Sequence, residues 1–195
     1  MKVVLLEKQS EFILEPKVDT FYLVLLDKNA EQGKIKVNLS FKKENISCQL
    51  LFLGRLKKNS SWQLESNMKH LASQTSCLTN VYLSQANASR VDYFGQIYID
   101  QLASQTKSFL KEQSLILGKN TYNRSRPILE IFNNKVKASH SASSSRLNET
   151  DIFYLMSRGF KKIEAEKILE EAFFNKVLDS IKIESVRKLI ESYLC

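Results

Sequence analysis

Over the first two thirds of the chain, apolar residues come in short runs divided by polar breaks. Val3–Leu6, Phe12–Leu14, Phe21–Leu26, Ile35–Phe41 and Gln49–Leu53 each read as a strand. Alternation is plainest at Ile35, Val37, Leu39 and Phe41, where a polar residue falls between each pair, the two-residue period of a strand with one buried face. Asp27–Gly33 and Lys42–Asn45 are turn-rich and supply corners. The rhythm continues through Trp62 and Leu64, Val81–Leu83, Val91 and Tyr93, Ile97 and Ile99, and Leu115 and Leu117. Between these runs lie Asn, Ser, Gln and Thr, which hydrogen-bond their own backbone at corners. Ile128–Phe132 reads as a short strand, Asn133–His140 as a polar turn with a second short strand, and the serines that follow as a loop.

From Asn148 the period lengthens to about 3.6, that of a helix. Asn148 is placed to cap a first helix from Glu149 to Arg158, with Glu149 and Asp151 at its positive end. Ile152, Phe153, Leu155 and Met156 form its apolar stripe, and Gly159 suits the left-handed closing position. A second helix is predicted over Ile163–Leu178, with a face of Ile163, Ile168, Leu169, Ala172, Phe173 and Val177. A third spans Glu184–Leu194, with Val186, Leu189, Ile190 and Tyr193 on one side. Three short helices do not easily make a core of their own, so they are expected to pack on the end of the strand-rich part and on a partner.

One internal echo bears on the architecture. LASQT occurs at Leu71–Thr75 and again at Leu102–Thr106, 31 residues apart. A repeat of that size is the signature of a solenoid, whose coils bury their faces against each other. Short strands with polar corners fit a sandwich equally well, so pattern alone leaves both open.

The 195 residues suit one domain or one with a small appendage, and an apolar share of 43% argues against global disorder. The net charge of +8 is spread along the chain rather than gathered in a basic tract, which reads as a solvated surface and not as a nucleic-acid interface. Cys48, Cys77 and Cys195 show neither CxxC nor zinc-ligand spacing, and an odd, scattered set points to reduced thiols. Cys48 and Cys77 lie in strand-like surroundings and read as small buried apolar groups. The start MKVVLLEKQSEF is too short in apolar length for a signal peptide, and no window approaches a membrane span. A soluble cytoplasmic protein with no membrane partner is expected.

Catalytic patterns are missing: there is no Ser-His-Asp arrangement, no complete phosphate loop and no HExxH. A polysaccharide-cleaving β-helix would need paired carboxylates, and acidic residues are sparse between Asn67 and Asn148. His70 follows Met68 and Lys69 with no acid or cysteine at ligand spacing and is assigned no role. His140 is the one candidate ligand, since a neutral imidazole binds transition metals near physiological pH. Its plain alternatives are a turn cap or a pairing with Glu130.

The stretch Arg126–Phe160 resembles the SufB/SufD family of iron–sulfur cluster assembly proteins. There a P-x-L-E-I strand leads to a D-V-K-C-S-H-G-A turn and an F-Y-L-x-S-R-G-I helix end. This chain has Pro127, Leu129, Glu130 and Ile131, then Val136, Lys137, Ser139, His140 and Ala142, then Phe153, Tyr154, Leu155, Ser157, Arg158 and Gly159. A weaker similarity runs from about Val91 through Phe174. The resemblance implies a right-handed parallel β-helix over residues 1–147 and a C-terminal helical docking segment over 148–195. It is most like SufD, either a shortened form without the helical region the family carries ahead of its core or one with a very divergent front. It further implies a non-catalytic scaffold that pairs with a SufB-like subunit, or with a second copy of itself, and docks the ATPase SufC. His140 would be one ligand of a transient iron–sulfur cluster shared with the partner, none being bound by this chain alone. Partner contacts would fall to Phe153, Tyr154, Arg158, Phe173 and Phe174. Two departures count against a self-sufficient site: Ala138 stands where the motif has Cys, and Ser141 where it has Gly. Iron–sulfur clusters need several thiolates, so the chain either shares ligands or is a stand-alone β-solenoid binding module that has lost the cluster role.

Overall fold

The structure is a computed structural model that describes residues 1–7 and 10–194. Short strands β1 (Lys2–Leu6), β2 (Glu11–Leu14) and β3 (Thr20–Leu25) are followed by β4 (Gln32–Phe41), β5 (Ser47–Leu56), β6 (Ser61–His70) and β7 (Ser76–Gln85). Then come β8 (Arg90–Ile99), β9 (Lys107–Ile116), β10 (Tyr122–Ile131) and β11 (Lys137–Arg146). Odd-numbered strands form one sheet in the order β1-β3-β5-β7-β9-β11, and even-numbered strands form the other, β10-β8-β6-β4-β2. Every pairing is parallel and joins strands one full coil apart. The result is a parallel β-helix of about five turns.

The LASQT echo is coil stacking. Leu71–Thr75 and Leu102–Thr106 are successive copies of one corner, with Thr75 Oγ1 3.3 Å from Thr106 Oγ1 and Ser73 Oγ 3.2 Å from Ser104 Oγ. Gln74 and Gln105 both adopt positive φ, 57° and 56°, and the Gln74 N–H donates to the Ser104 carbonyl. The opposite corner repeats the device at Asn59, Ala88 and Asn120. A sandwich would not stack the same tight bend every coil.

Inward positions build one core: Val37, Leu39 and Phe41, then Leu64 and Met68, then Val91, Tyr93, Ile97 and Ile99 face Leu50, Phe52, Val81, Leu83 and Leu110. The sheet holding β4 and β6 has a solvated outer face, which is why those strands alternate cleanly. The other sheet is covered on both sides over β3 and β5, which therefore carry near-continuous apolar runs such as Leu50–Leu53.

Helices α1 (Glu149–Ser157), α2 (Lys162–Ser180) and α3 (Glu184–Leu194) follow. α2 and α3 lie on the outer face of the odd-numbered sheet, along its flank and not on its end. Phe21, Leu23, Leu51, Leu53 and Tyr82 point outward there and meet Phe174, Val177, Leu178, Ile181, Val186 and Ile190. A polar seam fixes the register: Glu170 accepts from Ser84 Oγ and pairs with Arg55 at 3.4 Å, and Tyr193 Oη donates to the Leu26 carbonyl at 2.7 Å. The buried face of α2 therefore differs from the stripe the sequence suggests. Ala165, Phe174, Val177 and Leu178 are inside, whereas Ile163 is 74% exposed. The sheet's outward leucines, not the helix's own periodicity, select the face.

Asn148 Oδ1 accepts from the Thr150 N–H, capping α1 as its sequence predicts. Gly159, at φ 96°, closes it: its N–H reaches the Met156 carbonyl and the Phe160 N–H the Leu155 carbonyl.

Candidate functional site

The last turn of the β-helix is uncovered. Among the described residues, β10 and β11 each end their sheet, and β11 pairs only with β9, leaving one ten-residue edge open. Open edges offer unpaired N–H and C=O groups to an incoming strand. The two differ in availability. Pro127 removes an N–H from β10, a residue tolerated at sheet edges. Arg124 and Arg126 are pinned to Asp92, and the Arg124 guanidinium first, then Arg126, holds that carboxyl below the usual carboxylate range. β11 carries no proline and is mostly polar, with Lys137, His140 and Arg146 among serines and two alanines, Ala138 and Ala142.

The serines expected to form a loop are thus a strand. Ser141–Ser145 are held residue by residue against Lys111–Leu115 of β9. Ladder hydrogen bonds to a strand already in place outweigh the weak strand preference of serine.

His140 accordingly lies in the middle of β11 rather than at a corner. It is in register with Leu110, an inward core residue, so the imidazole stands on the inner face of the open turn and is exposed because, among the described residues, no coil covers it. Ala138, two residues back, packs on the core and offers no ligand. Ser141 is extended and absent from the positive-φ positions, so nothing here requires the motif's glycine. Among the described residues, no group of three His, Cys, Asp or Glu side chains could hold a metal ion. His140 by itself is a fraction of a site.

His70 is an interior residue. Its ring stacks on Phe41 at 4.4 Å, with Nδ1 2.8 Å from Thr75 Oγ1 and Nε2 3.0 Å from Ser108 Oγ. Burial pushes its pKa down to about 3. Cys48 and Cys77 are buried register partners whose thiols burial pushes up to about 12. Cys195 lies outside the described residues.

A second surface is apolar. α1 buries only Ile152, while Phe153 is 72% exposed and Tyr154 57%, with Met156 and Phe160 also in solvent. Arg158 lies over the Tyr154 ring at 5.2 Å and donates to its hydroxyl at 3.2 Å. Phe173 and Phe174 do not belong to this surface. Phe174 is 0% exposed beneath the Arg55 guanidinium, and half-buried Phe173 meets Tyr82 edge-on at 6.0 Å. The outward residues of the sheet claim both rings.

One residue escaped the sequence reading. Glu112 shares its inward parity on β9 with Ser108, Leu110 and Ser114, and is buried. The signal was present, since counting by twos from Leu110 places a carboxylate inside.

The family described as SUF system FeS cluster assembly, SufBD core domain, matches residues 20–173. An iron–sulfur cluster assembly SufBD family protein of Synechocystis is 24% identical over 90% of this chain and 39% of its own length. SufD of Escherichia coli is 29% identical over 54% of this chain and 25% of its own. SufD of Bacillus subtilis is 33% identical over 49% and 22%. The matches thus span well under half of each of these relatives. Among the described residues, no helix is long and apolar enough to cross a membrane.

Proposed function

Because this chain belongs to the SufBD core-domain family, we propose that it is a non-catalytic scaffold subunit in iron–sulfur cluster assembly. It pairs with a SufB-like subunit through the open edge of β11 and holds a SufC-like ATPase through α1. The nascent cluster is cargo. His140 contributes one imidazole from the inner face of the open turn, and thiolates of the partner contribute the rest. ATP hydrolysis belongs to the ATPase.

The observation that carries this reading is the pairing of an unblocked polar edge with an exposed imidazole at its centre. The apolar face of α1 supports the second contact, because large exposed apolar patches mark partner sites. Both Phe153 and Ile163 are solvent-facing, so Phe153→Asp with Ile163→Asp leaves the fold intact. In co-purification with the SufB-like and SufC-like proteins of the same genome, this variant loses the ATPase and keeps the SufB-like subunit. Retention of the ATPase would refute the docking assignment.

A stand-alone β-solenoid binding module is the second reading. Ala138, apolar where the motif has Cys, favours it. His140→Ala separates the two: iron loading of the assembled complex falls if the imidazole is a ligand and is unchanged if the chain only binds.

A further inference from the structure

The interior of the β-helix changes character in its last turn. Val81 and Leu83 face inward from β7, and Val91 and Tyr93 from β8. The residues in register above them are Glu112, Ser114, Asn123 and Ser125. Apolar coils thus give way to a layer of oxygen-bearing side chains.

Glu112 is 1% exposed. The Ser114 hydroxyl donates to its Oε1. Its Oε2, the Asn123 Oδ1 and the Ser125 Oγ are buried atoms with no hydrogen-bond partner. Asn123 Nδ2 donates to Ser144 Oγ at 2.7 Å, which joins the two sheets across the last turn and turns the amide oxygen away from Ser144. Burial pushes the Glu112 carboxyl up, opposed by Ser114, by Asn123 and by the Ser143 backbone, yet none of these completes a bond to Oε2. Buried polar atoms without partners are rare, and each one calls for a water or an ion. Glu112 Oε2 and Asn123 Oδ1 can only accept, and Ser125 Oγ has lone pairs to offer beside its own proton, a set that suits a cation.

We propose that Glu112 Oε2, Asn123 Oδ1 and Ser125 Oγ form a site for one hard divalent cation. Water entering through the open turn completes its shell. Hard cations favour oxygen donors, and those of the magnesium and manganese type bind through one or two carboxylates while keeping several waters. The site has a path to solvent, because Asn123 and Ser125 are only half-buried residues and none of the described strands stacks on β11. It lies within this chain and needs no partner subunit, so it stands or falls separately from the scaffold reading.

The rival arrangement is an Asn123 amide turned so that its Nδ2 donates to Glu112 Oε2. It satisfies the carboxylate and leaves no cation site. Titration of the purified chain with Mn²⁺, followed by calorimetry and by the paramagnetic signal of free Mn²⁺, separates the two. The expected result is one Mn²⁺ per chain, with affinity at least tenfold weaker in Glu112→Gln. Asn123→Asp is the second variant, because it adds charge at the same ligand. It binds at least as tightly as the parent if the site is real, and it is destabilised without binding if the amide is a donor. No saturable binding by the parent, or equal binding by Glu112→Gln, overturns the proposal.

Discussion

Acidification charges His70 in the unfolded chain well before it charges the same residue in the fold. The ordinary histidine pKa is about 6.5, and burial beneath Phe41 brings that of His70 down to about 3. Thr75 Oγ1 also lies 3.1 Å from the Ala72 carbonyl, to which it donates. Its lone pair is then left for the His70 Nδ1–H, and Nε2 is left to accept from Ser108. A neutral ring satisfies this network, and a charged one must enter a desolvated core. A group with a depressed folded pKa lends stability that is complete above its unfolded pKa and is lost as the pH falls. Each pH unit below 6.5 therefore removes about 1.4 kcal/mol, or about 2 kcal/mol by pH 5. Against a typical total of about 5–15 kcal/mol, that is a substantial fraction. Urea unfolding at pH 7, 6 and 5 measures it, with His70→Gln as the reference. The substituted chain is less stable at pH 7, having lost the ring stack, but its stability falls less on acidification. His140 and the carboxylates are common to both chains and cancel in the difference. Parallel losses in the two chains would refute the assignment of His70 as a buried neutral ring.

Two further outcomes follow from burial. Phe174→Ala, which empties the contact between α2 and the sheet beside Leu51 and Leu53, costs about 3–5 kcal/mol in urea unfolding; a change under about 1 kcal/mol would mean that α2 does not rest on the sheet. Cys48 and Cys77, with thiols pushed up to about 12, resist a thiol-specific reagent at pH 8 in the native chain and react on unfolding, as peptide mapping will show.

How far the fold could be read depended on what each strand faces. Ile35–Phe41 alternates because one side meets water, and its assignment was direct. The Leu50–Leu53 run has no period, because the core lies on one side and α2 and α3 on the other, so the sequence showed a strand but not the second layer. LASQT pointed to stacking because both copies make the same left-handed bend. The serines of β11 have a loop-like sequence because their strand is imposed by β9. Phe173 and Phe174 are adjacent aromatics on a helix, and only the sheet's outward tyrosine and leucines decide that Phe174 is interior and Phe173 half-buried. The two histidines show the same limit. His70 sits among polar neighbours in sequence and in the core in space, whereas His140 faces inward by parity and meets solvent because, among the described residues, no further coil stacks on β11.

The most direct measurement is amide hydrogen exchange on this chain, alone and with the SufB-like subunit of the same genome. The account predicts that amides of Lys137–Arg146 slow when the subunit is added while the buried strands β5 and β7 are unchanged. A complex that forms with the β11 amides exchanging as before, or no complex at all, would contradict it.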